Sequence, residues 1–240
     1  IEKMMNLTKK YQIFLLSIIY FFYKEIHSSI IDRINIIKIF FFTNSKKNIF
    51  FQNFLKSNSN LFKDLNCGKK KNSILVDTVM GHPGYICTQL IIAKFIQKIT
   101  GDNIVILNRK KNSLITSVGK SYNINNYLYL EKSIFIQRFF NFLGSLLNII
   151  KINDLNKIKK IEVNKVKVGE IAYDHYVRYT GDVFIKEINF KYIFFFYEAS
   201  QYNKIINNIF GKKNYKGIIL SETQFIPSAI IFQNALKRKI

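Results

Sequence analysis

The sequence predicts an α/β protein: an open, mostly parallel, Rossmann-like sheet flanked by helices and preceded by a hydrophobic helical segment. Three observations predict it. Short β-branched apolar runs recur at residues 74–79 (ILVDTV), 103–107 (NIVIL) and 217–221 (GIILS), as suits strands buried on both faces. Apolar residues at helical spacing follow the first and last of these runs. Glycine-containing turns separate them, giving the strand–helix alternation of an open sheet, with no repeat at fixed period.

The 240 residues have room for one large domain or two small ones. With 48% hydrophobic and 22% charged residues, the chain is not disordered, collagen-like or a disulfide-stapled miniprotein. Its charge is unusual: 37 Lys and Arg against 15 Asp and Glu give +22. Such a balance points to nucleic acid, an anionic membrane surface or acidic substrates. However, only five of those cations are Arg, and Ile, Asn, Lys, Phe and Tyr crowd the rest, as AT-rich codons dictate. Arg is what bidentate phosphate or base recognition prefers, and no helix-turn-helix or RNP pattern is present, so no nucleic-acid partner is expected. Cys67 and Cys87 are isolated, which suits a reducing cytosol, and His27, His82 and His175 lie far apart. With no DxD pair either, neither a metal nor another cofactor is expected.

Residues 1–72 read as a helical amino-terminal extension and linker, and residues 73–240 as the α/β domain. The run 11–23, YQIFLLSIIYFFY, is 13 residues long, below the ~20 a membrane-spanning helix needs. Its flank KEIHSS offers no small-x-small cleavage site. A buried helix and an in-plane membrane helix both fit it. A second aromatic run, 36–42, leads into the polar stretch 43–48, and NCGKKKN at 66–72 reads as a linker. The strand at 74–79 breaks at Gly81-His82-Pro83-Gly84. A helix then runs over 85–100 with Ile86, Leu90 and Ala93 on one face, stops at Gly101, and gives way to the strand 103–107. Residues 135–150 and 190–210 read as helices, although 192–197 is aromatic enough for a strand. The strand 217–221 then precedes a helix over 226–238 with Pro227 at its start.

Open α/β sheets bind ligands beyond the carboxyl ends of their strands, and three segments qualify. In MGHPGY (80–85) a helix start offers N–H groups and a positive dipole end to phosphate or carboxylate. His82 is its titratable group, flanked by Gly81, Gly84 and Tyr85, without a GxGxxG or Walker lysine. In VGEIAYDHYVRY (168–179), Glu170, Asp174, His175 and Arg178 fall within nine residues among Tyr173, Tyr176 and Tyr179. Glu170, Asp174 and Arg178 at i, i+4, i+8 form either a solvated ion-pair ladder or the polar side of a sugar-binding cleft. In SETQF (221–225), Glu222 stands where a strand ends, placed as a general base or as a dipole-stabilised acid, with Thr223 beside it. Asp77, inside the first strand, requires a partner if buried.

The GHPGY turn, the VGEIAYDHYVRYTG segment and the GIILSETQFIPSAIIFQNALKRKI stretch together resemble the amino-terminal half of bacterial surface or capsular polysaccharide biosynthesis proteins. These are glycosyltransferases of GT-B-like, two-domain architecture. The family's G-x-x-I-Y-D-x-Y-x-R segment is matched by Gly169, Ile171 (offset by Ala172), Tyr173, Asp174, Tyr176 and Arg178, and its A-L-x-x-x-I by Ala235, Leu236 and Ile240. The likeness runs from about Ser73 to the last residue. It departs where the family commonly carries His and this chain has Glu222. The resemblance implies sugar transfer from a nucleotide sugar to a glycan acceptor. Together with the reading of the three segments, it leads to catalysis expected at His82, Asp174 and Glu222, and substrate binding at Gly81, Gly84, Tyr85, Glu170, Tyr173, Arg178 and Thr223. The chain would hold the acceptor-side domain, truncated before a second, donor-binding one, and would be inactive alone. The competing reading is a non-catalytic module that binds glycan or partner enzymes at an anionic membrane surface. Either implies a cytoplasmic protein, peripheral at the inner membrane in the second case.

Overall fold

The computed structural model describes residues 2–44, 49–63, 72–79, 81, 83–131, 134–185 and 187–240. Most of the expected linker (66–71), along with Met80 and His82, lies outside the described residues. Two amino-terminal helices, α1 (Glu2–Asn44) and α2 (Ile49–Phe62), are followed by an alternating run: β1 (Ser73–Asp77), α3 (Pro83–Thr100), β2 (Asn103–Asn108), α4 (Ser113–Ser121) and β3 (Tyr127–Tyr129). Four helices come next, α5 (Phe135–Ile152), α6 (Leu155–Lys159), α7 (Val168–Thr180) and α8 (Phe190–Lys212). The chain ends with β4 (Tyr215–Ile219) and α9 (Ser228–Arg238). These elements make two compact units from interleaved segments. One comprises Ile1–Ile30, Ser133–Asn207 and Gln224–Lys237; the other comprises Ile31–Lys132, Asn208–Thr223 and Arg238–Ile240.

The second unit carries the sheet. Its four strands are all parallel in the order β3-β2-β1-β4, with helices alongside, so the α/β class read from the sequence holds. Every position of central β1 is buried, which is why its sequence is continuously apolar rather than alternating. Ile86, Leu90 and Ala93 of α3 pack on Val76, Ile104 and Ile106, with Ile115, Val118 and Tyr122 completing the core. Lys94 is buried too, but its ammonium donates to Gln97 Oε1 at 2.5 Å, and Gln97 in turn donates to the Asp102 carbonyl at 3.0 Å. Buried polar groups are kept only where hydrogen bonds of this kind satisfy them.

The first unit is helical. Phe21 of α1 is fully buried and stacks on Phe142 of α5, ring centroids 4.6 Å apart, with Tyr197 of α8 edge-on at 5.9 Å. At its centre the buried Asn234 amide donates to Asn203 Oδ1, and the Asn203 amide donates to the Val163 carbonyl, each at 2.8 Å. Gly169, at the start of α7, lies against α6: a Cβ there would sit 1.9 Å from the Ile158 carbonyl oxygen.

Several elements differ from the sequence reading. Residues 11–23 are not a separate 13-residue helix, because apolar positions resume past Lys24 and Glu25 at Ile26, Ile30 and Ile34. By length and composition Thr8–Ile34 is enough to cross a membrane, and only 11% of its most apolar window is buried. The helix read over 190–210 does hold, as α8, and the strand that the aromatic run 192–197 also allowed does not form; all six of those side chains are buried, as in a helix enclosed on every side. The last strand starts two residues early, because buried Tyr215 packs edge-on against Phe210 at 5.5 Å, and it stops at Ile219 opposite Val76. The last helix begins at Ser228 and not at Ile226; the Pro227 carbonyl accepts from the Ile230 and Ile231 N–H groups just ahead of it. Three short elements have no counterpart in the sequence reading: α4, β3 and α6. Caps rather than periodicity fix the two helices: Asn112 Oδ1 accepts from the Leu114 and Ile115 N–H groups, and Asp154 Oδ1 from those of Asn156 and Lys157.

Candidate functional site

In the sheet-bearing unit, the chain leaves β1 toward β2 on one side, while β4 is added on the other. The strand order therefore reverses between β1 and β4, and the loops after these two parallel neighbours emerge side by side at the carboxyl edge. Open α/β sheets bind ligands at this kind of crevice. The β1 exit is tightly built. Thr78 donates to the Leu107 carbonyl through both its N–H (2.9 Å) and its hydroxyl (3.1 Å). The carboxylate of fully buried Asp77 accepts from the Val79 N–H at 3.0 Å, supplying the partner that burial demands. Gly81 then turns with φ +70, where any side chain would be strained, and its N–H donates to the Thr78 carbonyl at 3.1 Å.

Gly84 and Tyr85 lie exposed in the first turn of α3, at the positive end of the helix dipole. Past β4, Glu222 is half-buried and Thr223 exposed. Five expected site residues, Gly81, Gly84, Tyr85, Glu222 and Thr223, therefore share one sheet edge. His82, expected among them, lies outside the described residues.

The same edge holds a charged cluster that sequence reasoning misses. After β2, the Arg109 guanidinium pairs with Glu131, which follows β3. Lys110 bridges Glu131 at 3.0 Å and Asp32 of α1 at 2.5 Å. The available signal is NRKKN at the end of a strand, holding one of only five arginines. Burial pushes the Glu131 carboxyl up, but Arg109 and then Lys110 outweigh it and hold the group below the usual carboxylate range. A depressed folded-state pKa contributes stability above the unfolded value, which is lost as pH falls through the folded one. Glu131→Gln is expected to cost about 1–2 kcal/mol in urea unfolding near neutral pH, and the difference from wild type should shrink at acid pH.

In the helical unit, α7 presents Glu170, Asp174 and Arg178 on one exposed face, as the spacing predicts. The three side chains do not form a continuous ladder. Glu170 pairs with Lys167 at 3.2 Å, while Arg178 Nη1 donates to Gln224 Oε1 at 2.6 Å. Partial desolvation and then the neighbouring Glu170 carboxylate raise the Asp174 carboxyl from its usual value. The Lys159 ammonium sits 3.6 Å from the Tyr173 ring centroid, so a cation already occupies one face of that ring.

His175 faces the other way. Phe195 lies edge-on at 4.5 Å and Phe225 at 5.7 Å, and Nδ1 accepts from the Ile226 N–H at 3.2 Å. Burial, helped by Lys24, pushes its pKa down to about 4. His175 therefore belongs to the packing, not to the exposed acid–Arg face. Among the described residues no group of three or more His, Cys, Asp and Glu is placed to hold a metal ion. No family model, no curated protein and no solved structure matches the chain.

Proposed function

We propose that the chain is the acceptor-side half of a glycosyltransferase-like protein of surface or capsular polysaccharide biosynthesis, one that moves a sugar from a nucleotide sugar to a glycan acceptor. The observation that carries this reading is the β1/β4 switch point, where a helix start with no acidic side chain in its first turn and the carboxylate-bearing Glu222 that follows β4 lie at the same sheet edge. The three-segment resemblance to polysaccharide biosynthesis proteins supports the choice of substrate.

In this reading Glu222 takes the proton from an acceptor hydroxyl as its oxygen bonds to the anomeric carbon and the bond to the departing diphosphate breaks. The N–H groups opening α3 receive negative charge, and Tyr85 offers an apolar ring face to a sugar. Asp174 and Arg178 form a polar surface on the helical unit of a kind that binds sugar hydroxyls. The finer architecture, a GT-B-like pair of Rossmann domains with the donor held by the other half, is part of the proposal.

The test is glycosyl transfer by the intact protein with Glu222→Gln, Asp174→Asn and His82→Gln measured singly. Loss of the base lowers kcat by about 10²–10⁴ with acceptor KM little changed. Near-full kcat in all three variants would overturn the site assignment.

A further inference from the structure

The outer face of α1 is apolar and uncovered. Tyr11, Leu15, Ile19, Ile26 and Ile30 are 52–68% exposed and fall at helical spacing on one side, while Ser17 and Phe21 on the other side are fully buried. The stripe extends onto α5 of the same unit, where Ile136, Phe140 and Leu147 are 58–66% exposed. Phe22 joins the two helices, with its ring 5.8 Å from Phe135 and 5.4 Å from Phe139. Soluble monomers rarely leave a continuous apolar surface of this extent uncovered.

Two features select its occupant. Lys10 stands at the amino-terminal end of the stripe, beside Lys9, which pairs with Glu187, and Lys151 is exposed at the far end of α5, in a chain of net charge +22. That combination suits lipid headgroups of opposite sign better than a second copy of an equally basic chain. The inner face fixes the orientation. Midway along the stripe, Glu25 pairs with Arg138 of α5 at 2.5 Å, and the Lys24 ammonium donates to the Tyr179 hydroxyl of α7 at 3.3 Å. A helix lashed to charged neighbours halfway along its length cannot have hydrocarbon on every side.

We propose that this face of α1 and α5 lies in the plane of an anionic bilayer, sinking its apolar stripe to the headgroup–acyl boundary without crossing. The proposal is independent of whether the chain transfers sugars. The purified full chain is mixed with phosphatidylcholine vesicles, with or without about one third phosphatidylglycerol, and sedimented. The wild type is expected to bind the anionic vesicles at least about tenfold more tightly, and Lys10→Glu to weaken binding about fivefold on those vesicles alone.

The triple variant Leu15→Ser, Ile19→Ser, Ile26→Ser is expected to lose at least about tenfold with unchanged circular dichroism and elution volume. Single Ile19→Asp serves if the triple variant fails to fold. Equal binding to both vesicle types, undiminished binding by the folded stripe variants, or membrane retention after alkaline carbonate washing each overturns the proposal. So does a dimer that the stripe substitutions dissociate while no vesicles are bound.

Discussion

Gly169→Ala is expected to destabilise the helical unit by about 3 kcal/mol or more, with the urea midpoint falling accordingly. The added methyl would meet the Ile158 carbonyl oxygen at 1.9 Å and that of Lys159 at 2.8 Å. Both are backbone atoms, so no rotamer change relieves the clash. Nor is α7 free to back away: the Gly169 N–H donates to the Ile161 carbonyl at 3.1 Å, and its carbonyl accepts from the buried Tyr192 hydroxyl at 3.2 Å. Gly144 in α5 is the control. A Cβ there meets nothing within 4 Å, and Gly144→Ala should stabilise by about 0.5–1 kcal/mol. If the two substitutions have similar effects, the close approach of α6 and α7 is not what the glycine serves.

The second large effect is an acid sensitivity centred on His175. In the unfolded chain this imidazole takes a proton near pH 6.5, whereas in the fold it resists protonation until about 4. Between those values the unfolded state binds the proton and the folded state does not, so stability is full above the unfolded value and falls as pH drops toward 4. The loss by about pH 4.5 amounts to about 2.5 kcal/mol. Unfolding free energies at about pH 7.5 and about pH 4.5 for wild type and His175→Asn isolate this group from the carboxylates. Asn keeps an acceptor near the Ile226 N–H and does not titrate. Equal acid losses in the two proteins would mean that the imidazole charges freely in the fold.

What the sequence makes legible divides along physical lines. β1 and β2 are readable because strands buried on both faces must be continuously apolar, and α3 because its buried side repeats at helical spacing. Residues 192–197 defeat periodicity, since burial on every side erases the difference between a helix and a strand. β3 has three residues and α6 five, too few for any period to show.

The exposed face of Glu170, Asp174 and Arg178 follows from spacing within one helix. The inward turn of His175 depends on Phe195 and Phe225, which are distant in sequence. Arg109 and Glu131 likewise meet only because β2 and β3 are neighbours in the sheet, which no local pattern announces. The motif glycine at 169, read as part of a candidate substrate-binding segment, turns out to be demanded by the passage of α7 over α6.

The placement of β4 beside β1 bears on how the chain folds. The Asn214 amide, just ahead of β4, donates to Asn72 Oδ1, just ahead of β1, at 3.1 Å across a separation of 142 residues. Closing a flexible loop of that length costs about 4 kcal/mol of chain entropy before any contact offsets it. The strands β1, β2 and β3 need only short crossovers and assemble without that expense. Folding of the intervening helices shortens the effective loop, so the fourth strand is expected to complete the sheet after they have formed. The carboxyl edge shared by β1 and β4 is in that sense the last part of the sheet to exist, and conditions that slow the helical unit should delay it.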